Sequence, residues 1–289
     1  MSDTSSTPGI PLPRLLPRRS DSHKGDYGRA LLVGGSRGMS GAIALAGKAA
    51  LRGGAGLVTV AVPDRCLETV AAYEPCYMTT PLISDSEDRI AASNLDRLAT
   101  LAAQATCVAC GPGLGRSPEL ISVVGELYQT LGKPLVLDAD GLNALAAVGN
   151  GLTEPAGERV LTPHLGEFRR LQEQAGLESM AAEEAAMKFA LRHGIVVVLK
   201  GPQTLVTDGR RSSRNTTGNP GMATAGAGDV LTGVITALIC QGLSCWDAAR
   251  LGVHVHGRAG DLAAAQYGQV SMIASDLVDF LGTAFSESA

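Results

Sequence analysis

A short apolar run, a glycine cluster, then a stretch with helical spacing: this order recurs along most of the chain and limits what it can fold into. Arg29–Val33 ends at Gly34 and Gly35, and helical periodicity resumes over 41–52 behind Ser40, the expected cap. The run 57–62 is stopped by Pro63, and 106–110 passes through Gly111, Gly113 and Gly115 to a helix predicted from Ser117 and Pro118. Residues 134–138, Arg159–Leu161 and 195–199 repeat the strand signature, with helices predicted over 139–148, 164–175 and 180–193. Strands apolar on both faces and separated by helices imply an α/β fold of three layers, αβα, with a mostly parallel central sheet and helices on both faces. Leu205–Thr207 and 211–216, joined through Asp208 and Gly209, predict an added antiparallel hairpin, and everything after Ala225 is helical in pattern. In such sheets ligands bind beyond the carboxyl ends of the strands, where these glycines fall.

A chain of 289 residues can close one large domain, so 23–289 is expected to be a single domain behind a tail, 1–22, rich in Ser, Pro and Arg. Aromatic residues make up 3% of the chain, so Ala, Val, Leu and Ile must build the core. A net charge of −4 without a long basic run argues against nucleic acid as a partner. No secretory signal and no apolar stretch near membrane-spanning length are seen, so a soluble, cytoplasmic protein with no membrane partner is expected. Six cysteines lie in or beside apolar segments and read as buried free thiols of a reducing compartment. Cys107 and Cys110 form a CxxC, but in a strand they face opposite sides, so one metal could hardly take both.

The run from Asn219 to Gly233 is the most informative segment. A loop of small residues enters a long helix, whose free amides and positive dipole end would cradle a transferring phosphoryl group. Asp229, in the first turn, is either a base for a substrate hydroxyl attacking phosphorus or merely a helix cap. A P-loop is excluded, because Gly47-Lys48 has Ala42 five residues before the pair and Ala49 after it. A dinucleotide fingerprint fails as well, since Gly113 and Gly115 are followed by Pro118. His164 and Glu167 share a face of a helix's first turn: they either orient a ligand, with Glu167 holding hydrated Mg²⁺, or cap the helix. Lys200 offers a point positive charge for phosphate at a turn between strands, unless that turn is plain surface. Asp138 and Asp140 end another strand, for metal, substrate or cap alike. His254 and His256, two apart on a helix, are read as structural.

In this order the segments resemble one family: His23 to Gly28, Gly34 to Ser36, Ala49 to Gly56, Gly111 to Gly115, Asp138 to Asn143, Thr162 to Glu167, and 219–233. They are similar to the ADP- or ATP-dependent NAD(P)H-hydrate dehydratases, over nearly the whole chain from His23. The resemblance implies a ribokinase-like fold and ADP-dependent dehydration of the S form of hydrated NADH or NADPH, with Mg²⁺ and with AMP and phosphate released. It implies that Ala42, Gly113, His164 and Asp229 contact the hydrated dinucleotide. Lys200, Gly201, Pro202, Gln203, Thr204 and Gly228 would contact the adenine nucleotide. Asp229 would be catalytic. Ala225 stands where glycine is commoner, and its methyl is expected to leave the amide cradle intact. A homotetramer is implied too, and the epimerase domain fused in some relatives is expected on a separate protein. The alternative on the same fold is a vitamin-precursor kinase, which would leave a stable phosphorylated product; a nucleotide sensor without catalysis is a third possibility, disfavoured by the presence of Asp229.

Overall fold

Leu31 and Val33 point to one face of the first strand, β1 (Arg29–Val33), and Ala30 and Leu32 to the other; all four are buried. Both faces must therefore be covered, and the rest of the chain covers them. The computed structural model describes residues 11–149 and 151–288. After β1 come α1 (Ser40–Arg52), β2 (Leu57–Pro63), α2 (Leu67–Tyr73), β3 (Met78–Leu82) and α3 (Leu95–Ala103). The centre follows with β4 (Cys107–Cys110), α4 (Pro118–Thr130), β5 (Leu135–Leu137), α5 (Ala139–Ala146), β6 (Arg159–Leu161), α6 (Leu165–Gln174), α7 (Ala182–His193) and β7 (Val196–Leu199). A hairpin, β8 (Leu205–Thr207) and β9 (Ser212–Arg214), precedes three closing helices, α8 (Ala227–Cys240), α9 (Cys245–Tyr267) and α10 (Ala274–Glu287).

The strands form one sheet in the order β3-β2-β1-β4-β5-β6-β7-β8-β9. Pairing is parallel from β3 to β7 and antiparallel across β7-β8 and β8-β9. One apolar cluster lies under α1, α2, α8, α9 and α10, and a second lies under α3 to α7. The three-layer αβα arrangement expected from two-sided apolar strands is therefore present. The order reverses at β1: the chain first adds β2 and β3 on one side, then returns to add β4 on the other. At this switch point the chain leaves β1 and β4 for helices on opposite faces of the sheet, α1 and α4, the usual setting for a ligand site.

Several predicted details change. The sequence reading assigns no element between 64 and 105, where α2, β3 and α3 lie. Ser40 is the first helical residue of α1 and not its cap; Met39 holds that position, without a side-chain bond. Residues 11–22 lie against the body: Leu15 packs on the core, Arg18 stacks 3.8 Å over the Tyr27 ring, and Arg250 Nη2 donates to the Pro11 carbonyl at 2.9 Å. The first ten residues of the expected tail fall outside the described residues. None of the described helices is long and apolar enough to cross a membrane.

The CxxC reading holds in its geometry, with Cys107 in one apolar cluster and Cys110 in the other. The expectation of uniformly buried thiols does not hold: Cys76, on the turn before β3, is exposed, while the other five are buried. Burial pushes the Cys110, Cys240 and Cys245 thiols up to about 12, so they are protonated as well as shielded. A thiol reagent should therefore modify one of the six cysteines in the folded protein and all six after denaturation, counted by released chromophore. A second thiol reacting without unfolding would contradict this packing.

Candidate functional site

The loops after β1 and β4 meet at the switch point. Gly35 N donates to the Pro112 carbonyl at 2.9 Å, and Ser36 Oγ donates to the Gly113 carbonyl at 2.9 Å. Gly113 has φ +62, and a Cβ there would lie 2.3 Å from the Met39 carbonyl oxygen and 3.2 Å from the Ala42 Cβ. The Gly113 turn and the first turn of α1 are thus pressed together, which joins Ala42 and Gly113 in one wall. Three residues on from Ala42, Leu45 reaches Gly226: a Cβ on Gly226 would meet Leu45 Cδ1 at 2.8 Å. Since Gly226 is the N-cap of α8, with φ +91, this wall adjoins the helix that carries Asp229.

Asp229 is the third residue of α8, so it does not cap the helix; the cap is Gly226. A helix leaves its first amides without intrahelical acceptors, and the carboxylate stands beside them. Burial, reinforced by the nearby Asp138 and Glu167 and opposed by Lys200, pushes its carboxyl up to about 7. Ala225 is exposed, and it is not among the non-glycine residues of positive φ, which among the described residues are Asp88 and Ala139. Its methyl therefore imposes no strain on the loop.

Opposite Asp229 stand the ends of β5, β6 and β7. Lys200 N donates to the Pro163 carbonyl at 2.8 Å, and a parallel bridge pairs His164 with Lys200. Lys200 Nζ donates to Asp138 Oδ1 at 2.8 Å and lies 3.9 Å from Glu167 Oε2. Burial pulls this ammonium down, but Asp138, Glu167 and Asp229 together outweigh that and raise it, so it stays charged. The expected point charge is thus held within an acidic cluster. Gly201, Pro202 and Gln203 form an exposed turn, closed by Thr204 Oγ1 donating to the Gly201 carbonyl at 3.1 Å.

His164 and Glu167 form a capping box on α6: Gly166 N and Glu167 N donate to His164 Nδ1, and His164 N donates to Glu167 Oε2 at 2.8 Å. The capping alternative is therefore realised, yet both side chains also face the cluster. Burial, followed by the charge on Lys200, lowers the imidazole, so His164 is neutral with Nδ1 as acceptor and Nε2 carrying the proton. That Nε2 lies 3.3 Å from Glu167 Oε1. Burial raises the Glu167 carboxyl despite Lys200. Asp140 turns elsewhere, accepting from Gly115 N at 3.0 Å. His256 is buried, with Nε2 2.8 Å from the Ala227 carbonyl, and its imidazole is held down at about 4 by burial. It braces the start of α8.

Three carboxylates, Asp138, Glu167 and Asp229, share one ammonium, leaving an excess of negative charge. Among the described residues no group of three His, Cys, Asp or Glu side chains is gathered as a metal cage. That donor set suits a cation arriving on nucleotide phosphates, the usual way Mg²⁺ is held, better than an ion held by protein alone. The sequence pointed to most of these side chains. It missed Thr232, whose hydroxyl donates to Asp138 Oδ2 at 2.7 Å; its place three residues after Asp229, on the same helical face, was the available signal.

The αβα sheet, with its polar cluster beyond the carboxyl ends of β5, β6 and β7 and against the start of α8, has the architecture of ribokinase-like proteins. A ribokinase-like superfamily protein from Enterococcus faecalis matches with TM-score 0.80 and 26% identity, over 95% of this chain and 92% of that one. The family model described as NAD(P)H-hydrate dehydratase matches residues 30–282, and the chain belongs to that family of enzymes. An ADP/ATP-dependent NAD(P)H-hydrate dehydratase from Bacillus subtilis, co-crystallised with ATP and Mg²⁺, matches with TM-score 0.78 and 28% identity, over 95% of each chain. A bifunctional NAD(P)H-hydrate repair enzyme, Nnr, from Moorella thermoacetica is 48% identical over 275 residues, 92% of this chain and 51% of that protein. The chain thus spans about half the length of the curated relatives it matches.

Proposed function

We propose that this chain, through a single domain over 23–289, uses ADP and Mg²⁺ to dehydrate the S form of hydrated NADH and NADPH, releasing AMP and phosphate. The observation carrying this reading is Asp229 in the first turn of α8, beside free amides, with its carboxyl pushed up to about 7. A base poised near the working pH accepts a proton without being a strong acid's inert anion. Hydration of the nicotinamide ring puts a hydroxyl on the carbon beside the ring nitrogen, and hydroxide leaves poorly. Asp229 takes the proton of that hydroxyl as its oxygen attacks the terminal phosphorus of ADP, and the bond to AMP breaks. The α8 amides receive the charge that develops on the phosphoryl oxygens. The ring nitrogen's lone pair then expels phosphate, and loss of a C5 proton restores the reduced ring.

In this reading Ala42, Gly113 and His164 hold the hydrated dinucleotide with its hydroxyl toward Asp229. Lys200, Gly201, Pro202, Gln203, Thr204 and Gly228 hold ADP. Glu167 would hold the hydrated Mg²⁺, which when bound offsets negative charge on the phosphates. The same reading carries a homotetramer in the cytoplasm, working alongside an NAD(P)H-hydrate epimerase; light scattering on the purified protein measures its mass.

The decisive assay mixes hydrated NADH, ADP and Mg²⁺ and follows recovery of reduced-nicotinamide absorbance with AMP and phosphate. Replacing ADP by ATP measures donor choice. A vitamin-precursor kinase would give no recovery and would leave a phosphorylated product instead. The pH dependence has a definite sign. A base whose carboxyl sits at about 7 is ionised only above that value, so kcat/KM with both substrates subsaturating should rise with pH through about 7 and then level. A profile already flat from pH 5 would mean that Asp229 is not the limiting base.

A further inference from the structure

Asp138 occupies the N-cap position of α5 yet makes no side-chain cap bond there. Its carboxylate, 1% exposed, turns inward and is divided between two partners: Oδ1 accepts from Lys200 Nζ at 2.8 Å, and Oδ2 from Thr232 Oγ1 at 2.7 Å. The next residue, Ala139, has φ +50, a left-handed conformation that alanine adopts only at a cost. Two glycines leave the room this arrangement requires. A Cβ on Gly111 would lie 1.9 Å from the Asp138 carbonyl oxygen, and one on Gly228 would meet Lys200 Nζ at 3.2 Å and Asp138 Oδ2 at 3.5 Å. The surrounding backbone, strained at one point and stripped of side chains at two, fits closely around Asp138, at its main chain through Gly111 and at its carboxylate through Gly228.

We propose that Asp138 is a positioning residue that ties the Lys200 ammonium to the catalytic helix, so that ammonium and Asp229 meet the nucleotide in fixed register. This rests on the reading of the site as an ADP-dependent dehydratase. Lys200 directly follows β7, and Thr232 lies one turn beyond Asp229 on α8, so a single side chain directly after β5 sets the separation of the two. A lysine ammonium is a point charge on a flexible stem and goes to whichever anion is nearest. With Asp138 gone, Glu167 and Asp229 are the remaining anions, and pairing with Asp229 would occupy the base. Asp138 therefore acts through Lys200 and Thr232, without contacting substrate.

The test combines Asp138→Asn with Thr232→Val and Thr232→Ser, each checked by thermal melting. Turnover is assayed on hydrated NADH with ADP and Mg²⁺, and ADP affinity is measured by calorimetry. For Asp138→Asn, kcat should fall roughly 10- to 100-fold and ADP affinity should weaken, as expected for misplaced groups. For Thr232→Val, kcat should fall while KM for hydrated NADH stays within about twofold, and Thr232→Ser should restore it, a split that general destabilisation would not give. Wild-type-like kcat and ADP affinity in Asp138→Asn would overturn the assignment. If that variant does not fold, the threonine pair decides: a Val defect rescued by Ser supports it, and a wild-type-like Val variant removes it. Failure of the wild-type enzyme itself to restore reduced nicotinamide would instead count against the dehydratase reading, while ADP affinity would still report on the Asp138 clamp.

Discussion

Asp229→Asn should keep ADP binding within a few-fold and lose turnover by about 10²- to 10⁴-fold, the span that a positioned general base contributes. Asparagine has nearly the same shape, so the first turn of α8 and its amides stay in place, and only the proton acceptor is lost. The same substitution has a second, opposite consequence. Burial, more than any neighbour, raises the Asp229 carboxyl from an ordinary value near 4 to about 7. The folded protein therefore binds this proton more tightly than the unfolded chain does. Its contribution to stability is complete below about pH 4 and is lost as pH rises through about 7. Asparagine carries no charge and escapes that loss. The variant should thus melt higher than wild type at pH 8, by a margin that shrinks toward pH 5, while being nearly inactive at both. Full turnover in the variant would remove Asp229 from the base role; an unchanged melting difference across pH would remove the burial argument.

Burial, which sets the behaviour of Asp229, also sets which parts of the molecule can be read from the chain. Strands β1, β2 and β4 to β7 are apolar on both faces, and burial on both faces is what a parallel sheet demands, so periodicity locates them. β3 escapes because it is an edge: Met78 and Pro81 are exposed and only Leu82 is buried, which leaves neither an apolar run nor an alternation. α3 is different, since Leu95, Leu98 and Ala102 stand at helical spacing and the signal went unused. At the site, residue types at strand ends reveal chemistry, because glycines, an Asp at a helix start and a Lys at a turn have few other reasons to cluster. Their partnerships are invisible in one dimension. Asp138 meets Lys200 across 62 residues and Thr232 across 94, and nothing at position 138 distinguishes a clamp from a cap until three elements are assembled.

Gly111→Ala is the substitution expected to damage both fold and site most. Gly111 leaves β4 at φ +132, a region that residues with a side chain hardly enter. A methyl there would lie 1.9 Å from the Asp138 carbonyl oxygen and 2.9 Å from Gly141 N. The obstacles are backbone atoms, not the end of a flexible chain. They are fixed from both sides, since Gly111 N donates to the Val33 carbonyl at 3.1 Å and Asp138 N donates to the Cys110 carbonyl at 3.2 Å. Strained backbone costs about 1–3 kcal/mol, and overpacking adds about as much again. The melting temperature should therefore fall by on the order of 10 °C. Whatever relief the chain finds must push Asp138 off its position, and with it the Lys200 ammonium. Turnover should then drop by roughly 10²-fold even well below the lowered melting point, as for groups displaced by about 1 Å. Gly132→Ala is the matched control, because nothing lies within 4 Å of the added methyl and φ is ordinary. It should melt within about 1 kcal/mol of wild type and keep full turnover. Equal melting of the two variants would mean that the strand end tolerates a side chain, and that the approach of Gly111 to Asp138 does not hold the site together.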